Sequence, residues 1–188
     1  MSGTVTIVEY REAWPAEFRD LAAALRSAFG AAALRIDHIG STAVPGLAAK
    51  DVIDVQVTVA TLADVPAQVP GFEEVPGLTD HPPPGFTGAG DELAKRYFRT
   101  APDRRLGHVH VREDGRFNHR YPLLCRDYLR ATPAAAAAYE AVKRRLAAQF
   151  PDDRETYADV KDPVFDVLMA GAEAWALATG WAIGPADA

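Results

Sequence analysis

Residues 38–59 read HIGSTAVPGLAAKDVIDVQVTV. The first part, from Gly40-Ser41 to Pro45-Gly46, is a turn-rich run of small residues, too poor in large apolar side chains to be core. From Asp51 the pattern becomes a strict alternation. Ile53, Val55, Val57 and Val59 fall on one face of a strand, and Val52, Asp54, Gln56 and Thr58 fall on the other. A β-branched run of this kind predicts a strand over 51–59. One face is core. The other is polar in the middle of a strongly β-prone segment, and a carboxylate there needs a reason.

Working outward, Leu34 to Ile39 reads as the strand that feeds the turn. Before it, Trp14, Phe18, Leu21, Leu25 and Phe29 recur at spacings of four and three, which predicts an amphipathic helix over 15–29 with Pro15 in its first turn and Gly30 at its end. After it, 61–70 reads as a short helix or turn, and the Pro- and Gly-rich stretch 75–91, with Pro76, Pro82, Pro83 and Pro84, as a long irregular loop. Lys95 to Thr100 and Leu106 to Arg112 read as a β-hairpin, with His108, His110 and Arg112 on one face of its second strand.

From Asn118 onward the chain reads as helical. One helix ends near Thr132-Pro133. A second, capped by Thr132, runs to about Phe150, and Asp152 or Asp153 starts a short segment. Asp162-Pro163 reads as the start of a last helix that Gly180 stops. Strands first and helices last, without strict alternation, predict an α+β fold with a mixed β-sheet flanked by helices. The 188 residues form one domain in this reading, a core over about 1–117 with a helical tail over about 118–180 packed on it.

Composition narrows the function. Hydrophobic residues make up 48% of the chain and charged residues 24%, a globular balance. The net charge of −6 argues against broad nucleic-acid binding, but leaves room for a phosphate-bearing ligand in a local basic pocket. One cysteine, Cys125, forms no internal disulfide and reads as helix packing. No apolar run approaches the roughly 20 residues that span a bilayer. With no signal-peptide pattern at the start, the expected location is cytoplasmic.

A Gly-Ser turn exposes backbone N–H groups and a hydroxyl that can hold phosphate oxygens. Asp54, thirteen residues after Ser41, can hold Mg²⁺, which takes one or two carboxylates together with phosphates. An anion cradle and a charge-neutralising metal are the two parts phosphoryl or nucleotidyl transfer needs. His108 and His110 on one strand face suit a metal or a phosphate. Lys50, at the foot of the strand, can meet a phosphate. His38 precedes the turn and is expected to contact ligand or brace the loop. Asp127 and Arg130 pair along a helix. His81 and His119 read as surface residues, and Trp14, Phe18 and Trp175 as core.

The run from His38 to Val55 closely resembles the signature of the GrpB family. So do the opening from Tyr10 to Trp14, Gly107 to Val111, Arg126 to Arg130, and Lys143 through Tyr157 to Lys161. The resemblance spans roughly Val5 to Trp175. It implies a nucleotidyltransferase-like fold, whose pattern is Gly-Ser, a spacer, and two acids one residue apart on a strand. Asp54 matches the first acid. Gln56 stands where the second should be, and an amide brings no negative charge to a metal. The third acid's analogue is His108 or His110. The resemblance raises Arg126 and Tyr128 to cleft positions, and Lys143, Tyr157 and Lys161 to phosphate-facing ones.

The expected function is a nucleotidyltransferase-fold enzyme that binds a nucleoside triphosphate, ATP first among them, with Mg²⁺. It would transfer a nucleotidyl group to a small-molecule acceptor, or ligate one at the expense of ATP. Asp54 and His110 are the expected catalytic and metal residues. Gly40, Ser41, Lys50, Arg126, Lys143, Tyr157 and Lys161 are expected at the phosphates, and His38, Gln56, His108 and Tyr128 in the substrate cleft. The alternative is a non-catalytic binding module that has lost the second carboxylate. A toxin-like or antitoxin-like transferase acting on RNA or protein is a third reading compatible with the fold; the net negative charge disfavours RNA as its target.

Overall fold

The computed structural model describes residues 4–83 and 86–188. Helix α1 (Trp14–Phe29) forms where the four-and-three spacing places it. It buries Trp14, Phe18, Leu21, Leu25 and Phe29 on one stripe. Five strands follow: β1 (Arg35–Ile39), β2 (Ile53–Val59), β3 (Phe72–Glu74), β4 (Arg96–Thr100) and β5 (Gly107–Glu113). They make one mixed sheet in the order β1-β2-β5-β4-β3, with β2 and β5 parallel at the centre and the other pairs antiparallel. Three helices complete the chain: α2 (Phe117–Ala131), α3 (Pro133–Gln149) and α4 (Arg154–Thr179).

Register decides what each sheet face carries. Ile53, Val55 and Val57 share a face with Val109, Val111 and Ile36, and that face packs against α1 as the main core. On the other face Asp54 pairs with His108 and with Ile39, and Gln56 pairs with His110 and with Asp37. The polar side of β2 is therefore continued on β5, two imidazoles wide. Helix α2 lies over this face and packs against α4, whose Met169, Ala172 and Ala176 join a second core with Leu124 and Leu129.

Two expectations change, and two regions gain detail. Strand β3 is absent from the sequence reading because three residues are too few to show a period. Asp162-Pro163 starts no helix: α4 begins at Arg154, capped by Asp153 whose side chain accepts from the Thr156 N–H, and runs through Pro163 to a left-handed Gly180. Packing of α4 against α2 and α3 outweighs the backbone hydrogen bond that Pro163 removes. Thr132 makes no side-chain cap for α3. The 75–91 loop is irregular but anchored: the Val75 N–H donates to the Tyr97 carbonyl at 2.9 Å and the Asp80 N–H to the Leu93 carbonyl at 3.1 Å. Pro84, part of the same expectation, lies outside the described residues.

Candidate functional site

A cleft of about 760 Å³ opens where α2 leaves the polar sheet face uncovered. Gly40, Ser41, Asp54 and His110 form its floor, Thr79 to Pro82 one rim, and residues of α2 and α4 its far wall.

Asp54 is the centre of the floor. Its side chain is 30% exposed, with Oδ1 3.4 Å from His108 Nδ1 and 3.9 Å from His110 Nε2. Burial pushes the carboxyl upward, but hydrogen bonding and charge from the two histidines outweigh it and hold the group well below the usual carboxylate range. Burial lowers His110 to about 4, against the opposing pull of Asp54, so its imidazole is neutral at pH 7. Among the described residues no Lys or Arg pairs with Asp54. The other buried acids are matched: Asp37 with Arg35 at 2.7 Å, Asp80 with Lys95 at 2.5 Å and Arg112 at 2.8 Å.

The turn after β1 wraps tightly onto Asp54. Gly40 has φ +72°, and a Cβ there would stand 2.5 Å from Asp54 Oδ2. Ser41 lines the cleft, and its Oγ accepts from Lys143 Nζ at 3.0 Å. Lys143 is only 3% exposed and also donates to the Ala48 carbonyl at 2.5 Å. Burial brings its pKa down to about 7. It stands behind Ser41 rather than in the cleft. Lys50 lies over the Tyr157 ring, 5.2 Å from its centroid. Tyr157 is 1% exposed, and burial pushes its hydroxyl to about 12. Neither lines the cleft; Tyr157 packs with Val5 and Ala147.

Arg126 lines the cleft wall, but its guanidinium is spent inside the fold. It donates to the His38 carbonyl at 3.1 Å, to Asp187 at 2.7 Å and to Asp127 at 2.7 Å. Lys161 reaches the cleft while paired with Asp162 at 3.1 Å. Tyr128 packs between α2 and α4 beside Trp175, away from the cleft. His38 lies on the opposite sheet face, stacked on Phe18 at 4.8 Å and bonded to Thr42 Oγ1 at 3.0 Å, because strand alternation puts it with Ile36. Burial lowers it to about 4.

Gln56 does share the Asp54 face, but α2 covers it completely. Its Nε2 donates to the His119 carbonyl at 3.0 Å, and its Oε1 accepts from Arg112 Nη1 at 2.8 Å. It is a satisfied structural amide, not a cleft residue. His119, expected at the surface, is buried in the same layer. Cys125 lines the cleft but is buried, its thiol pushed up to about 12.

Several cleft residues carried no readable signal. Asp80, from the Pro-rich loop, accepts from Lys95, Arg112 and Asn118 and ties the rim to the sheet. Asp159, Asp162 and Asp166 line the α4 wall. Their helical spacing would have been visible only with α4 read as one helix through Pro163. Among the described residues no group of three or more His, Cys, Asp or Glu is gathered as a metal centre.

The GrpB protein family model matches residues 4–170. The chain belongs to the GrpB family. A crystal structure of the conserved protein GrpB from Enterococcus faecalis superposes on this GrpB chain with a TM-score of 0.72 and 31% identity, covering 90% of this chain and 99% of that one. A Halalkalibacterium halodurans relative, UPF0157 protein BH1888, is 34% identical over 92% of this chain and 85% of its own length. UPF0157 protein YqkA of Bacillus subtilis is 35% identical over 91% of this chain and 48% of its own length. A Mycolicibacterium paratuberculosis protein named dephospho-CoA kinase is 38% identical over 89% of this chain and 46% of its own. The GrpB chain thus spans about half the length of the last two. No helix among its described residues is long and apolar enough to cross a membrane.

Proposed function

We propose that this GrpB protein is a cytoplasmic, nucleotidyltransferase-like enzyme that binds a nucleoside triphosphate with one divalent cation and acts on a small molecule in the same cleft. The observation that carries this reading is Asp54: an ionised, part-exposed carboxylate on the cleft floor, beside a Gly-Ser turn, flanked by two imidazoles and, among the described residues, in no salt bridge with Lys or Arg. An uncompensated carboxylate favours a cation, and a cation beside an anion-binding turn favours a phosphate ester.

The donor set fits one Mg²⁺ and not two. Asp54 offers carboxylate oxygen. At the second position the buried Gln56 amide is already engaged, and the positive Arg112 guanidinium stands 2.8 Å from it. A single cation held by Asp54 would neutralise phosphate charge. The rest falls to the chain. The Gly40-Ser41 turn would meet phosphate oxygens, with Lys143 holding the Ser41 hydroxyl in place. Neutral His110 could accept a proton from the attacking group of the acceptor. Lys161 is the cleft cation placed to approach a phosphate from α4.

The engaged Gln56 amide favours a second reading, a binding module of the same fold without turnover. The kinase activity named for the mycobacterial relative belongs to a protein of about twice the span matched here.

Titration calorimetry with ATP, GTP, CTP and UTP, each with and without Mg²⁺, on the native protein and Asp54→Ala tests the reading. Metal-dependent binding of a nucleotide, lost in the variant, is expected. No nucleotide binding in either would overturn it, and binding without turnover over a panel of acceptors would favour the module.

A further inference from the structure

Lys143 is a buried lysine without an acid. Lys95 and Lys161 each pair with a carboxylate, whereas Lys143, 3% exposed, forms no salt bridge among the described residues. Its contacts are neutral: Ser41 Oγ at 3.0 Å, the Ala48 carbonyl at 2.5 Å, and the Tyr139 ring, whose centroid lies 4.8 Å from Nζ. An ammonium group held out of water with no carboxylate is costly, and shedding its proton removes the cost. The charged groups around it are Glu140 and Arg144 on α3, Lys161 on α4, and Lys50 in the turn before β2. Glu140 favours the charged form, but it is engaged by Arg144 at 2.9 Å and by the Ala48 N–H at 3.0 Å. Burial and the three cations prevail, and a large fraction of Lys143 is the neutral amine at pH 7.

A neutral amine keeps two N–H groups and gains a lone pair. With the N–H groups toward the Ala48 carbonyl and the Tyr139 ring, the lone pair falls to the Ser41 hydroxyl. Ser41 in turn lines the cleft, so its Oγ has a base behind it and ligand space in front. A hydroxyl within hydrogen-bond reach of a base that a third group orients is the arrangement of an activated nucleophile, and a lysine can be that base.

We propose that Ser41 is a nucleophile and Lys143 its general base, so that the cleft transfers a phosphorus-centred group through a covalent ester on Ser41. That the group is a nucleotidyl group rests on the nucleotide reading; the nucleophile–base pair does not. In the first step Ser41 Oγ bonds to the α-phosphorus, the bond from that phosphorus to pyrophosphate breaks, and the hydroxyl proton passes to Lys143 Nζ. In the second an acceptor oxygen or nitrogen bonds to the same phosphorus and gives its proton to His110. The bond to Ser41 Oγ breaks, and Ser41 takes its proton back from Lys143.

The test is labelling of the full chain with an alkyl fluorophosphonate, which needs neither nucleotide nor metal. Ser41 Oγ would bond to its phosphorus, fluoride would leave, and the proton would pass to Lys143. Intact mass and peptide mapping locate the adduct, with Ser41→Ala as the blank. An adduct on Ser41 is expected, with a rate that rises to a plateau about pH 7. Lys143→Arg keeps a cation behind the turn but no base, and about 100-fold slower labelling is expected. The pH profile of the native protein decides alone if that variant fails to fold. No adduct on Ser41, a rate still climbing beyond pH 9, or equal labelling of folded Lys143→Arg would overturn the proposal. Parallel incubation with α-labelled ATP and Mg²⁺ separates the two readings. A fluorophosphonate adduct without nucleotide binding removes the nucleotidyl group and leaves the pair. Nucleotide binding without a fluorophosphonate adduct does the reverse.

Discussion

Gly40 and Asp54 are locked together. The turn backbone passes so close to the carboxylate that a single added methyl at Gly40 would lie 2.5 Å from Asp54 Oδ2, and the φ of +72° is one that L side chains rarely adopt. Gly40→Ala is expected to destabilise the fold by about 1–3 kcal/mol through backbone strain and to push Asp54 off the cleft floor. Denaturant melts read the first effect, and loss of Mg²⁺-dependent nucleotide binding reads the second.

Gln56→Glu restores the second acid of the nucleotidyltransferase pattern, yet no gain in metal affinity is expected. The side chain lies beneath α2, and a carboxylate would turn an oxygen toward the His119 carbonyl where Nε2 now donates. The expected result is a loss of about 1–3 kcal/mol of stability with unchanged Mg²⁺ binding. Tighter Mg²⁺ binding would revive a two-metal centre.

Asp80 ties the 75–91 loop to the sheet through Lys95, Arg112 and Asn118. Asp80→Ala leaves those donors unmatched, and a cost of about 2–4 kcal/mol is expected. The folded carboxyl is held far below its ordinary value, chiefly by Arg112 against the upward push of burial. Its stabilising contribution is therefore present above pH 3.8 and lost as pH falls below it. Proteolysis within the loop should accelerate in the variant.

His38 acts in the same direction at higher pH. Burial lowers it from 6.5 to about 4, so the unfolded chain takes up a proton first on acidification. Stability should fall as pH drops from 6.5 to 4, by at most about 3 kcal/mol, and level off below. His38→Gln should flatten that part of the profile in pH-dependent denaturant melts.

Lys143 loses its proton near pH 7, and the charge behind Ser41 goes with it. Nucleotide affinity of the native protein should weaken as pH rises through 7 relative to Lys143→Met, in which only the ligand's own titration remains. Parallel pH profiles would instead mean that Lys143 only supports the turn.

Much of this fold is legible in local pattern. The α1 stripe, the alternation of β2 and the β4–β5 pair each show a period within a few residues, and each forms within a residue or two of where the period predicts. Strand β3 is too short to show one. Asp162-Pro163 has the local chemistry of a helix start, but the surrounding α2 and α3 surfaces hold the helix continuous. The Gly40-Ser41-Asp54 core of the site is equally legible, because a turn and the strand after it are close in sequence.

Depth and facing are not local. Asp37 and Ile39 alternate with Ile36 and His38, but only the pairing of Ile39 with Asp54 tells which set faces the cleft, and it turns His38 away. Asp54 and Gln56 share one face of one strand, yet α2 buries the second and leaves the first open. The sequence by itself determined the strand, the turn and the missing second acid. Tertiary packing decided which polar groups became structure and which were left with unmatched charge, because burial and partners come from elements distant in the chain.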